Sequence, residues 1–430
     1  MTDRKKRHRV VIIGGGFGGL WATRSLRSAE VDITLVDKRN FHLFQPLLYQ
    51  VATGALSPAD IASPLRGVLA NQRNVTVKLS EMKGIDLDAR VVFLKDGELV
   101  YDSLVIATGS ENHYFGNDEW SRVATGLKTV EDALRIRNTI FHAFERAEKE
   151  SDPARRQQFL TFVIVGGGPT GVELAGALGE IARITLRGNF RSVDPSTARI
   201  VVLEGTDDIL TSFPPSLRTK AFHSLENLGV EIVTGAIARD IDDSGVTVVG
   251  GGREYRIEAE TVLWAAGIRP SPIGKLLTSD NSGLDQAGRV IVNADLTLPD
   301  HPNVYVIGDL ATIADYPGGQ LPGNAPVAMS QGRYVARTIV SKARSETYKP
   351  YRYRSRGNMA VLGRAAAVAD LGWARFSGYP AWLLWLFVHL LFLVEFDNRL
   401  VVLIQWAWSY FTRNRGARLI TNDSTGEGNN

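Results

Sequence analysis

The sequence predicts an α/β chain with two parallel-sheet βαβ domains and a C-terminal helical segment. Val10–Gly19 reads VVIIGGGFGG and Phe162–Gly171 reads FVIVGGGPTG, so one strand–turn–helix unit occurs twice, a whole domain apart. After each copy a further apolar strand closes on an acid, Asp37 or Glu204, and strands alternating with helices imply a parallel sheet. The last quarter changes character and becomes apolar and tryptophan-rich.

The 430 residues are 44% hydrophobic and 22% charged, which fits globular domains and is too apolar for a disordered chain. There is no cysteine, which excludes disulfides, Cys-ligated zinc, iron–sulfur clusters and any thiol redox chemistry; no metal site is expected. A net charge of +3 is too small to argue for nucleic acid, and none is expected as a partner.

In chain order, the basic run Arg4–Arg9 reads as a solvated leader or a contact with anionic lipid. The apolar run after it breaks at glycines too soon for an export signal. Val10–Ile13, Leu20–Leu26 and Val31–Asp37 form the first unit. Val75–Leu79, Val91–Leu94 and Leu99–Tyr101 read as a small antiparallel excursion. Ser103–Gly109 returns as a buried strand, with Thr261–Gly267 as its counterpart. Asp118–Ser151 is helical in pattern and bridges the two units, and Val304–Ile307 is a late strand ending in Gly308-Asp309. The expected domains are 1–115 with 285–345, a helical connector 116–160, 161–284, a C-terminal domain 346–420 and a disordered tail 421–430.

Gly14-x-Gly16-x-x-Gly19 follows a strand, opens a helix and is answered by Asp37. This is the dinucleotide fingerprint. Its glycines allow the tight turn, the approach of a pyrophosphate and close helix–strand packing, and its acid accepts hydrogen bonds from ribose. Gly166-x-Gly168-x-x-Gly171 repeats it, with Glu204 as the acid after a longer gap that implies an insertion around Arg187–Ser196. An acid there repels a 2′-phosphate, and Gly205-Thr206-Asp207 offers no arginine to accept one, so this site favours NADH over NADPH. The expected domains are therefore Rossmann-like and dinucleotide-binding.

With the Ala107-Thr108-Gly109 strand end and Gly308-Asp309 added, the chain resembles the two-dinucleotide-binding-domain flavoproteins. That resemblance implies FAD on Gly14, Gly15, Gly16, Phe17, Gly18, Gly19, Asp37 and Lys38, closed by Ala107, Thr108, Gly109, Gly308 and Asp309. It implies NADH, as substrate, on Gly166, Gly168, Pro169, Thr170, Gly171, Glu204 and Gly267. The missing cysteines exclude the dithiol reductases of that superfamily and the sulfide:quinone oxidoreductases, leaving hydride transfer to flavin and a non-thiol acceptor.

Tyr379–Val394 has only His389 as a polar member, and Leu400–Phe411 resumes the apolar run, with Arg413, Arg415 and Arg418 beyond. Each run is short of a ~30 Å hydrocarbon core as a helix. Tryptophans at the margins suit an interfacial, membrane-anchoring hairpin; a buried helix pair, a dimer interface and a transmembrane hairpin are the alternatives. The runs hold only His389, Gln405 and Ser409 as polar members, no acid for proton pumping.

Asp37–His42 leading to Phe44–Gln50, Gly166–Gly176, Met359–Arg364 and Trp406–Phe411 are together similar to the type II NADH dehydrogenases, which pass electrons from NADH through FAD to a membrane quinone without pumping protons. The resemblance implies a respiratory-chain homodimer on the cytoplasmic face of the cell membrane, peripheral and monotopic. It places the quinone near Gln50, Ala325, Pro326, Ser330 and Gln331. The family's Ala-Gln-x-Ala-x-Gln signature is altered here: Pro326 and Ser330 replace both glutamines, and Gln331 lies one position later. Glu173, in the first turn of the second fingerprint helix, is the candidate catalytic group, its alternative role being to complement the helix dipole. A soluble NADH-dependent reductase of an iron–sulfur protein and a non-enzymatic, apoptosis-factor-like flavoprotein stay open as other readings.

Overall fold

The computed structural model describes residues 7–278, 282–317, 319–346, 348–394, 396–412 and 415–421. Arg413, most of the basic leader and the tail beyond Thr421, all singled out above, lie outside the described residues. The chain divides into two compact units. The first joins the chain up to Leu43 with Ala62–Glu111 and Ile268–Ser355, and the second joins Phe44–Ile61, Asn112–Gly267 and the chain from Arg356 onward.

The first unit is built on a six-stranded sheet in the order Thr297–Leu298, His301–Val306, Ser103–Ile106, His8–Ile13, Val31–Asp37, Val75–Leu79. Its pairings are parallel except at the Thr297–Leu298 edge. Val10, Ile12, Leu35 and Val105 are fully buried, the near-continuous apolar run expected of a parallel strand covered on both faces. Ile13 is in register with Val36 on one side and Ile106 on the other. The Gly14 turn and Ala107 therefore leave the sheet together at the point where strand order reverses, where open α/β sheets bind ligands.

One expectation is corrected here. Val75–Leu79 is the edge strand of this sheet, parallel to Val31–Asp37, and the antiparallel excursion consists of Met82–Asp86, Val91–Leu94 and Gly97–Val100. The half-exposed Val-Thr-Val-Lys-Leu alternation suits either setting. The helix Ala325–Ala343 packs on the fingerprint helix Phe17–Ser25 through Gly332, whose Cβ would run into the Gly18 carbonyl.

The second unit carries a five-stranded parallel sheet in the order Ala124–Gly126, Thr261–Trp264, Thr161–Val165, Arg199–Leu203, Val230–Val233. Asp118–Ser151 is not one helix. A 3₁₀ turn and the Ala124–Gly126 strand come first, and the helix runs Val130–Lys149. Thr129 and Asp132 form a capping box that fixes its start. The second fingerprint helix Pro169–Glu180 runs on into a π turn at Ile181–Thr185. With the 3₁₀ turn Pro195–Thr197, this occupies the long gap before Glu204.

Two antiparallel sheets complete the unit, Ala236–Asp242 with Gly245–Gly250 and Arg253–Glu258, and Asn358–Gly363 with Ala366–Asp370 and Arg375–Ser377. The last two helices are Tyr379–Phe392 and Phe396–Thr412. No described helix is long and apolar enough to cross a membrane. The two helices leave Leu383, Phe387, Leu391, Leu400, Ile404, Trp408 and Phe411 exposed, spaced three or four apart on the outer face of each.

Candidate functional site

Both fingerprints adopt the geometry that a bound dinucleotide needs. Gly14 (φ 104°) and Gly166 (φ 109°) make the left-handed turn after their strands. A Cβ at Gly19 would occupy the place of the Gly14 carbonyl oxygen, and Gly171 stands in the same relation to Gly166. At Gly16 and Gly168, the N-caps of the two helices, nothing lies within 4 Å of a Cβ position. Neither helix start has a side-chain cap, so its N–H groups are left for an anion.

The two acids are held alike. Asp37 accepts from the Gly15 amide at 2.5 Å and the Arg39 amide at 2.7 Å, and burial raises its pKa against the pull of those bonds. Glu204 accepts from the Gly167 amide at 2.6 Å, and its other oxygen takes the Thr206 amide at 2.8 Å and hydroxyl at 2.9 Å. His42 supports the first turn, its Nδ1 lying 3.0 Å from the Gly15 carbonyl, with Phe17 edge-on at 5.0 Å. Burial lowers its pKa to about 4, so the ring is neutral and Nδ1 donates.

The first unit brings together the remaining residues assigned to FAD. Ala107 is buried beside the Gly14 turn, and Gly109 has φ 68° with open space around it. Asp309 accepts from the Ser110 hydroxyl at 2.7 Å. The Thr108 hydroxyl is buried with no partner among the described residues, a polar group that a bound cofactor would satisfy. Gly18 packs against Ile307, Lys38 is exposed beside Asp37, and Gly308 donates its amide to Gln331 Oε1 at 2.7 Å. In the second unit, Pro169 and Thr170 open the fingerprint helix, and Gly267 lies against the His113 carbonyl and the Phe115 ring, where a Cβ would clash.

The second unit also contains a cavity with about 860 Å³ of empty space, its mouth included. Its floor is Tyr49, Gln50 and Ala55 with Glu173, Ala177 and Glu180. Val361, Gly363 and Arg364 form one wall, and Trp382, Trp385, Leu386, Trp406, Tyr410 and Arg415 close it from the C-terminal segment. Trp385 lies 5.4 Å from Trp406 and Trp382 lies 5.5 Å from Tyr410, ring centre to ring centre, while the Arg364 guanidinium sits 4.2 Å over the Tyr410 ring. A cavity lined by aromatic rings and several polar groups suits a planar ring bearing oxygens.

Glu173 keeps some exposure through its opening onto this cavity, but its carboxyl is surrounded by protein, and burial pushes its pKa up to about 8. Tyr49 is held well above its ordinary value by burial and by the nearby Glu173 carboxylate. Both groups therefore carry protons at neutral pH. Deeper in, Arg415 pairs with Glu180 at 2.8 Å and donates to the Thr53 carbonyl at 3.1 Å. Glu180 also accepts from the Arg364 amide.

Of the residues assigned to the quinone, Gln50 lines this cavity in the second unit, whereas Ala325, Pro326, Ser330 and Gln331 lie on the Ala325–Ala343 helix of the first unit. Gln331 is buried, and its amide oxygen is engaged by Gly308. Sequence reasoning missed Glu180, Arg364, Trp382, Trp385, Arg415 and the site role of Tyr49. The quoted runs Phe44–Gln50, Met359–Arg364 and Trp406–Phe411 were the signal that could have found several of them. Among the described residues, no group of three or more His, Asp or Glu side chains is placed to hold a metal ion.

The chain is similar to known proteins in sequence and in fold. Residues 8–332 match the family model for pyridine nucleotide-disulphide oxidoreductases. The chain is 46% identical to the type II NADH:quinone oxidoreductase NdhA of Mycobacterium tuberculosis, over 96% of this chain and 90% of that protein. It is 43% identical to the type II NADH:quinone oxidoreductase Ndh of the same organism, over 97% and 91%. Among solved structures, NDH2 from Plasmodium falciparum in complex with NADH shares the fold with a TM-score of 0.87 at 19% identity, over 97% of this chain and 100% of that one.

Proposed function

The chain belongs to the pyridine nucleotide-disulphide oxidoreductase family and, within it, to the type II NADH:quinone oxidoreductases, and from that premise we propose how its residues divide the reaction. It transfers electrons from NADH to a quinone, with FAD as its cofactor. FAD, when bound, would supply the two-electron carrier between NADH and the acceptor. Overall, NADH, one proton and the quinone give NAD⁺ and the quinol, so each turnover draws one proton from the medium.

The first fingerprint holds FAD: Gly14 to Gly19 cradle the pyrophosphate on the helix start, Asp37 and Lys38 take the adenosine ribose, and the partnerless Thr108 hydroxyl and Asp309 take polar groups of the flavin half. The second fingerprint holds NADH, with Glu204 on the ribose hydroxyls and set against a 2′-phosphate, Pro169 and Thr170 at the helix start, and Gly267 at the end of the neighbouring strand beside the nicotinamide half.

The quinone ring enters the cavity of the second unit. Glu173 and Tyr49, both protonated at neutral pH, face the acceptor there, and Glu173 returns the proton that each turnover requires. Gln50 shapes the same cavity. Gln331, tied to Gly308, keeps the Gly308-Asp309 turn in place. The observation that carries this reading is the buried Glu173 carboxyl in an aromatic-lined cavity closed by the last two helices.

The exposed apolar face of those helices supports peripheral, monotopic attachment to a lipid surface. Attachment is on the cytoplasmic side, where NADH is supplied, with two copies forming a homodimer and no proton pumping. A photoreactive azidoquinone tests the assignment of the cavity: label is expected on peptides from Tyr379–Thr412, protected by excess menadione. Label confined to other peptides would overturn it.

A further inference from the structure

Trp406 and Gln50 come from opposite ends of the chain, Trp406 on the Phe396–Thr412 helix and Gln50 on the short helix Leu48–Ala52. The indole Nε1 donates to Gln50 Oε1 at 2.7 Å. An indole N–H can only donate, so it settles which end of the Gln50 amide is oxygen, because a flipped amide would set two N–H groups against each other. Gln50 Nε2 is thereby turned onto the Tyr49 hydroxyl at 3.0 Å, where it donates. The Tyr49 oxygen is used as an acceptor, and its own hydrogen must point elsewhere. Among the described residues no protein group accepts it, while Tyr49, Gln50, Trp406 and Glu173 all line one cavity.

We propose that Trp406 is a positioning residue for quinone reduction: by fixing the direction of the Trp406–Gln50–Tyr49 chain, it makes the Tyr49 hydroxyl a hydrogen-bond donor to a carbonyl oxygen of the quinone. This rests on the cavity being the quinone site. As two electrons reach the ring, negative charge gathers on its carbonyl oxygens, and a preorganised O–H aimed at one of them is worth more to the charged state than to the neutral quinone. Tyr49 need not lose its proton. The quinone gains two electrons and two protons, of which NADH supplies a hydride equivalent and the medium the remaining proton. Burial keeps the Tyr49 hydroxyl protonated across the working range.

Trp406→Phe keeps an aromatic ring and removes the N–H, Gln50→Leu removes the amide, and Tyr49→Phe removes the hydroxyl. In stopped flow on the FAD-loaded protein, bleaching of the flavin by NADH is the control for folding and loading. Reoxidation by menadione is expected to slow by about tenfold to a hundredfold in Tyr49→Phe, the loss of one hydrogen bond to developing charge, and by a smaller factor in Trp406→Phe. The Trp406→Phe/Tyr49→Phe double variant is expected to be no slower than Tyr49→Phe alone, since both act through one hydroxyl. Menadione binding, read by tryptophan quenching, is expected to weaken less than threefold in Tyr49→Phe.

Multiplying rather than saturating effects, or a Tyr49→Phe that reoxidises at the parental rate, would overturn the inference. Failure of menadione to reoxidise the parent protein would instead overturn the quinone-site reading on which it rests.

Discussion

Arg415 offers a sharp test of how the C-terminal segment is held to the second unit. Its side chain is 9% exposed and pairs with Glu180, 17% exposed, at 2.8 Å, while its other nitrogen reaches the Thr53 carbonyl at 3.1 Å. The residues beyond it are pinned by the Ala417 amide on Gly54 at 3.1 Å and the Thr421 amide on Asn138 at 3.3 Å. Removing one partner of a buried pair costs about 3–5 kcal/mol. Glu180 keeps the Arg364 amide, so Arg415→Ala belongs at the low end, about 3 kcal/mol. Expressed as local opening, that is an increase of roughly a hundredfold in amide exchange. Hydrogen exchange with mass spectrometry on peptides spanning Gly54 and Ala417 reads it directly. Arg415→Met with Glu180→Gln, which leaves no bare charge, is expected to recover most of the protection. Exchange within threefold of the parent in Arg415→Ala, or a double variant worse than the single, would refute the reasoning.

Glu204→Gln is expected to lower the preference for NADH over NADPH at least about tenfold, read as the ratio of kcat/KM values, because the charge set against a 2′-phosphate is gone. Glu173 has a folded-state pKa of about 8 against an ordinary 4.5. Folding therefore favours its protonated form, and its contribution, complete below about pH 4.5, is lost as pH rises through about 8. Glu173→Gln is expected to resist urea better than the parent at pH 9 and to show no such advantage at pH 5. Phe387→Glu combined with Ile404→Glu places charge on the exposed apolar face and is expected to cut co-sedimentation with anionic vesicles more than tenfold, with the flavin still bleached by NADH.

The parts legible in the sequence were those written in local chemistry. Gly14 and Gly166 each need a left-handed turn, Gly19 and Gly171 have no room for a Cβ, and Asp37 and Glu204 end apolar strands. Each requirement falls within one βαβ unit, so spacing alone exposes it. Val75–Leu79 was misassigned because a half-exposed alternating strand does not reveal whether its neighbour runs parallel or antiparallel. Asp118–Ser151 was read as a helix because Ala124–Gly126 is too short to show a period, although it completes a sheet with Thr261–Trp264.

The cavity was the least legible. Tyr49, Glu173, Arg364, Trp382 and Arg415 meet there from widely separated stretches, and long-range packing leaves no pattern in any one of them. Gln331 carries a further piece that spacing cannot show: it is buried, and its amide oxygen takes the Gly308 amide.

The most direct measurement is stopped-flow separation of the two half-reactions in Glu173→Gln, loaded with FAD. NADH is expected to bleach the flavin at close to the parental rate, since Glu173 is assigned to the acceptor's proton. Reoxidation by menadione is expected to slow at least about tenfold and to lose the decline with pH through about 8 that is expected of the parent. Parental reoxidation with an unchanged pH profile, or a slowing confined to bleaching, would contradict the assignment of this cavity to the quinone.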